Sequence, residues 1–226
     1  MLLEVNNLTH SYGTHRVLSG VSFTAAAGEV VGILGANGAG KTTLLRLVTH
    51  ILTPDAGTIL FDGHPLTQDD LSQIGYLPEE RGLYRHMRAG EQVVYLARLK
   101  GLSRSEALAS ACYWFDHLDA VDWWNRPVSR LSKGMQQKVQ FIATVVHRPR
   151  LLILDEPFSG FDRDNADMLR NEIRCLSAAG TAILLSTHNL SAASDLCTKT
   201  IGLWKKSSSL SLANTACACG VPPSGF

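Results

Sequence analysis

The 226 residues carry 21 Lys+Arg against 20 Asp+Glu, a formal net charge of +1, and 45% of them are hydrophobic. That mixture is globular and too apolar for a disordered chain, and the balanced charge argues against a protein that coats nucleic acid. Apolar runs such as those at 151–154 and 182–185 fall far short of the roughly 20 residues that cross a bilayer. No basic start followed by an apolar stretch marks a signal peptide. One large, soluble, cytosolic domain is therefore expected.

In chain order, residues 2–12 and 17–27 read as extended runs. Residues 29–35 (EVVGILG) are nearly all apolar and close on glycine, as a buried strand does. A helix is expected from 41 to about 51, with Leu44, Leu45 and Val48 on one face, ended by Pro54 and Gly57. Short strands are expected at 58–62 and 75–77. From 79 to about 130 helical periodicity takes over, in Val93, Val94, Leu96, Ala97 and Leu99 and then across 107–118, which predicts a helical insertion. Ser132 opens a further helix whose Met135, Val139, Ile142, Ala143 and Val146 form one stripe, stopped by Pro149. Residues 151–155 and 182–186 read as two more buried strands around a helix at 166–178. Strands alternating with helices predict an α/β fold with a mostly parallel sheet.

Two stretches carry chemistry. GANGAGKT at 35–42 fits G-x-x-x-x-G-K-[ST] between a strand and a helix, the phosphate-loop arrangement. Gly35, Gly38 and Gly40 let the backbone wrap so that the N–H groups of Ala36, Asn37, Ala39 and their neighbours converge on phosphate, with the helix N-terminus adding partial positive charge. Lys41 brings a full charge to the β- and γ-phosphates, and the Thr42 hydroxyl can ligate Mg²⁺; Thr43 belongs to the same nucleotide site. The glycine spacing is not that of a dinucleotide site. LLILDEP at 151–157 puts two carboxylates at the C-terminal end of a strand, where ligands bind in such sheets. Asp155 is expected to hold Mg²⁺ through water, and Glu156 to polarise an attacking water. Hydrolysis at such a site is mostly positioning and charge stabilisation.

Together with LSKGMQQ at 131–137, SGFD at 159–162 and STH at 186–188, these motifs resemble the ATP-binding cassette nucleotide-binding domains over roughly residues 2–204. The resemblance implies a P-loop NTPase core with an N-terminal antiparallel β subdomain and a helical insertion. It implies an ATPase that binds ATP and Mg²⁺, with Tyr12 stacking on adenine and His188 contacting the γ-phosphate. Ser132 and Gly134 would serve a second molecule's nucleotide in a head-to-tail dimer, with the same chain or another cassette as partner. Lys133 and Met135 depart from the LSGGQ pattern, and Glu79 stands where the family has a glutamine, as a carboxylate able to touch Mg²⁺. YLPEERGLY with LSKGMQQK is similar to the branch that serves ABC-2 type exporters. The implied role is an ATPase subunit that drives a separate transmembrane permease from the inner face of the cell membrane, docked through 79–88, without nucleic acid. Competing readings are a non-transport cassette ATPase acting on ribosomes or DNA, and a shortened product of weak activity.

The last stretch, 205–226, holds five serines, two adjacent prolines and no acidic residue. It reads as a disordered tail produced by a frameshift or truncation, with the family resemblance fading after Trp204. Cys112, Cys175 and Cys197 have no ligand spacing and read as buried or half-buried hydrophobes; Cys217 and Cys219 form a lone C-x-C that does not suggest zinc.

Overall fold

Two sheets share the chain, and the second one positions the site. The computed structural model describes residues 1–80, 82–189, 195–205 and 210–216. Strands β1 (Leu3–Tyr12), β2 (His15–Ala25), β4 (Ala56–Phe61) and β5 (His64–Pro65) form an antiparallel sheet in the order β2-β1-β4-β5. Strands β3 (Val30–Leu34), β6 (Ile74–Leu77), β7 (Leu151–Asp155), β8 (Ala182–Thr187), β9 (Lys199–Lys205) and β10 (Leu210–Ala216) form the other, in the order β10-β9-β3-β8-β7-β6. Its pairs from β9 across to β6 are parallel, and β10 runs antiparallel to β9.

The apolar runs of β3 and β7 are continuous because both faces of this sheet are covered. Alternation still sorts them. Val31, Ile33, Leu151 and Ile153 pack with Leu44, Leu45 and Val48 of α1 (Lys41–Val48) and with Leu3, Leu8 and Phe61 of the antiparallel sheet. Val30, Leu34, Leu152 and Leu154 pack on the opposite side with Val93 of α2 (Ala89–Leu99), Phe115 of α3 (Arg104–His117), Phe141 and Ile142 of α4 (Lys133–Val145) and Leu169 of α5 (Arg163–Ala178). Each such side chain removed from water contributes about 1.5–3 kcal/mol.

The helical insertion is present as α2 and α3 with short 3-10 turns. Ser103 starts α3 with a capping box: its hydroxyl accepts from the Glu106 N–H at 3.3 Å and its own N–H donates to Glu106 Oε2 at 2.9 Å. Trp114 meets Phe141 edge-on at 6.1 Å between ring centroids, which fastens α3 to α4.

Several boundaries differ from expectation. Helix α1 stops at Val48, because His50 takes a left-handed φ of 58° and Thr49 caps the last turn. Helix α5 begins three residues earlier than the periodicity indicates, since the Asp162 carboxylate accepts from the Asn165 N–H at 2.9 Å and caps it there. The two-residue β5 carries no periodic signal. Cys112 and Cys175 are exposed rather than buried, while Cys197 is buried. Within 205–226, the stretch read as a disordered tail, Leu210–Ala216 forms the edge strand β10; residues 206–209 and 217–226, with Cys217 and Cys219, lie outside the described residues.

Candidate nucleotide site

Strands β3, β8 and β7 end side by side, and the candidate residues leave from those ends. After β3 the chain enters a glycine loop in which Gly38 has φ 75° and Gly40 φ 96°, a region that residues with a Cβ avoid. A Cβ on Gly40 would come within 2.9 Å of Val17, and one on Gly35 within 2.6 Å of the Leu203 carbonyl. The glycines thus permit both the turn and its seat against β2 and β9. Gly40 is the N-cap of α1, so the helix opens directly onto the loop with its N–H groups pointing there.

A cavity of about 550 Å³ lies over this loop, lined by Asn37, Gly38, Gly40, Lys41, Thr42 and Thr43 together with Glu79 and Glu156. Lys41 is buried; its ammonium donates to the Gly35 carbonyl at 2.8 Å and reaches the Ala36 carbonyl at 3.4 Å. It also lies 3.1 Å from Glu156 Oε1, an ion-pair contact rather than an aligned hydrogen bond. The other oxygen of that carboxylate, Oε2, accepts from His188 Nδ1 at 3.0 Å. Lys41, Glu156 and His188 therefore form one connected set.

Glu156 holds this position from a left-handed backbone, φ 47°, costly for a residue with a side chain and found where surroundings over-determine it. Its neighbour Asp155 is 1% exposed, with Oδ1 bonded to the Ser186 hydroxyl and Oδ2 buried without a partner among the described residues. Burial, and then the Asp155 charge, hold the Tyr76 phenol above its ordinary value. A second small cavity joins Glu79, Asp155 and Glu156 to Gln137, Gln140 and Ser159.

These groups fit a Mg²⁺–triphosphate. Asp155 Oδ2 is a buried acceptor in want of a positive partner, and Thr42 and Glu79 offer further oxygens. No cluster of three His, Cys, Asp or Glu suited to a metal occurs among the described residues. A sparse oxygen set matches a cation that keeps its waters and takes phosphate oxygens.

Gly35, Ala36 and Ala39 belong to the loop itself, but Tyr12 does not line the cavity. It is 48% exposed at the end of β1, with its ring edge-on to His10. His15, its register partner on β2, and Val17 line the cavity instead, and neither carries a motif that would have marked it. Ser132 and Gly134 also lie off this cavity. Ser132 caps α4, its hydroxyl accepting from the Met135 N–H at 3.3 Å. One turn further on, Gln137 Nε2 donates to the Ser159 carbonyl at 2.6 Å, tying α4 to the loop after β7.

A family model described as ABC transporter matches residues 18–159. The chain belongs to the ABC transporter family. The ABC transporter ATP-binding protein YhaQ of Bacillus subtilis is 42% identical over 196 residues, covering 87% of this chain and 66% of its own length. A Nod factor export ATP-binding protein of Sinorhizobium fredii is 36% identical over 198 residues, 86% of this chain and 58% of its own. The chain thus spans less than two thirds of each. A solved ATP-binding subunit of an ABC transporter superposes with a TM-score of 0.85 at 30% identity, covering 95% of this chain and 90% of that one. No helix among the described residues is long and apolar enough to cross a membrane.

Proposed function

We propose that this ABC transporter chain binds and hydrolyses Mg·ATP and powers a separate membrane permease. The observation that carries the reading is the meeting of Lys41, Glu156 and His188 over a left-handed glycine loop, beside the unpartnered Asp155 Oδ2. On nucleotide binding, the Lys41 ammonium exchanges the Gly35 carbonyl and the Glu156 carboxylate for phosphate oxygens. Glu156 is then free to accept a proton from water, while His188, 57% exposed along its side chain, turns toward the terminal phosphate. Mg²⁺, when bound, would screen phosphate charge; Thr42, Asp155 and Glu79 would hold it.

Hydrolysis couples to closure of two cassettes, because Ser132 and Gly134 lie away from their own chain's cavity. A second copy, or another cassette subunit, supplies the missing signature. Export is the direction supported by the Nod factor relative's name and by the YLPEERGLY and LSKGMQQK stretches. The chain then works at the cytoplasmic face of the membrane, held there by its permease, and needs no nucleic acid. Tyr12 reaches adenine from the rim, opposite His15.

The test is Glu156→Gln. Phosphate release with Mg·ATP should vanish while ATP binding persists, and the variant should elute as a dimer on size-exclusion chromatography only with ATP. Wild-type turnover in this variant would remove Glu156 from its role. An exclusively monomeric ATP-bound form would remove the shared-site arrangement.

A further inference from the structure

Strand β8 lies between the strand that feeds the phosphate loop and the strand that ends at Asp155. Ser186 on β8 is in register with Ile33 of β3 on one side and Asp155 of β7 on the other, and it is fully buried. Its hydroxyl occupies two hydrogen bonds. It accepts from the Glu156 N–H at 3.0 Å and donates to Asp155 Oδ1 at 2.5 Å. The Glu156 N–H also reaches the Ser186 carbonyl at 3.2 Å.

The polarity of this chain is fixed. An N–H can only donate, so the serine oxygen receives there and its single proton goes to the carboxylate. Asp155 is thereby held as an acceptor with Oδ1 engaged, and the oxygen left over is the buried, unpartnered Oδ2. The same hydroxyl anchors the amide of Glu156, the residue whose backbone sits at φ 47°. One hydroxyl thus sets the rotation of the first carboxylate and the turn that aims the second.

We infer that Ser186 is a positioning residue that selects Asp155 Oδ2 as the metal-facing oxygen. The inference rests on the reading of Asp155 as a Mg²⁺-site residue. It touches neither nucleotide nor metal. Groups that orient a metal-site ligand typically contribute 10–100-fold in metal affinity or activity. Losing the hydroxyl lets the Asp155 carboxylate rotate and leaves a buried oxygen without its donor.

The experiment measures Mn²⁺ binding by the loss of the free-ion electron paramagnetic resonance signal, with a non-hydrolysable ATP analogue present. The affinity for the same analogue in EDTA is measured in parallel. The variants are Ser186→Ala, Ser186→Thr, Ser186→Cys and Asp155→Asn. Ser186→Ala should weaken Mn²⁺ roughly tenfold and leave the EDTA affinity unchanged, and Ser186→Thr, which keeps the hydroxyl, should restore Mn²⁺ binding. If Ser186→Ala does not fold, Ser186→Cys, with its weaker donor, should give a partial loss of Mn²⁺ binding. Wild-type Mn²⁺ affinity in the folded serine variants, beside a loss in Asp155→Asn, overturns the inference and leaves the site reading standing. An equal loss in EDTA also overturns it, because the serine would then be merely structural. Unchanged Mn²⁺ affinity in Asp155→Asn brings down the site reading itself, and the inference with it.

Discussion

The Lys41 ammonium lies 3.1 Å from Glu156 Oε1, so the groups assigned to phosphate and to water face each other as opposite charges. Both side chains are more than nine-tenths buried, where an unpaired charge is costly. Each therefore lowers the cost of keeping the other ready. Lys41→Ala removes the cation from both partners. Hydrogen bonds to charged groups contribute about 1.5–3 kcal/mol, so ATP affinity should fall by about 10–100-fold in a fluorescent-nucleotide titration. Unchanged affinity would contradict the phosphate role of Lys41.

The parts of this arrangement legible in the sequence are those that repeat or have a fixed spacing. The apolar runs at 151–155 and 182–186 announced central strands because burial on both faces erases alternation. The glycine spacing before Lys41 announced the phosphate loop because only glycine takes its backbone angles freely. What is not legible there is the partnership of Ser186 with Asp155: the STH stretch contains the serine, but only strand register brings its hydroxyl to the carboxylate. Register is a long-range property of the sheet, and no local pattern encodes it. Nor are His15 and Val17 legible as site residues, because the cavity wall they form belongs to a different sheet from the loop they face.

A half-buried lysine fastens the insertion to the core. Lys100, the C-cap of α2, donates to the Leu71 carbonyl at 2.6 Å and the Ile74 carbonyl at 2.8 Å, and burial pulls its pKa below the ordinary value. Lys100→Met keeps the aliphatic stem and leaves two carbonyls without their donor. Urea denaturation should report a loss of about 2–3 kcal/mol. A variant as stable as wild type would mean that water replaces the ammonium at no cost.

His147 shares that corner, with Nε2 3.3 Å from the Ile74 carbonyl. Burial first, and then the Lys100 ammonium, push its pKa down from 6.5 to about 4. The folded protein therefore keeps this ring neutral where the unfolded chain protonates it. The stability it contributes is complete above pH 6.5 and is lost as the pH falls from there toward 4, by at most about 3 kcal/mol. His147→Gln has no titrating ring, so its stability should decline less across that window. Parallel pH profiles for the two proteins would show that His147 is not the cause.

Gly90, in the first turn of α2, separates propensity from packing. On an exposed helix, Gly→Ala stabilises by about 1 kcal/mol. Here a Cβ would come within 2.3 Å of Cδ2 in the Trp124 indole, and the Gly90 N–H donates to the Trp124 carbonyl at 3.0 Å, so backbone and ring are held together. The ring cannot retreat freely, since its other contacts include Phe115, 5.0 Å away between centroids. Overpacking of this kind costs about 1–3 kcal/mol, enough to reverse the helix preference. Gly90→Ala should therefore be destabilised in chemical denaturation, and Trp124→Ala in the same background should recover part of the Gly90→Ala penalty by opening the space. A net gain in stability from Gly90→Ala alone would mean that the indole moves aside more easily than its contacts imply.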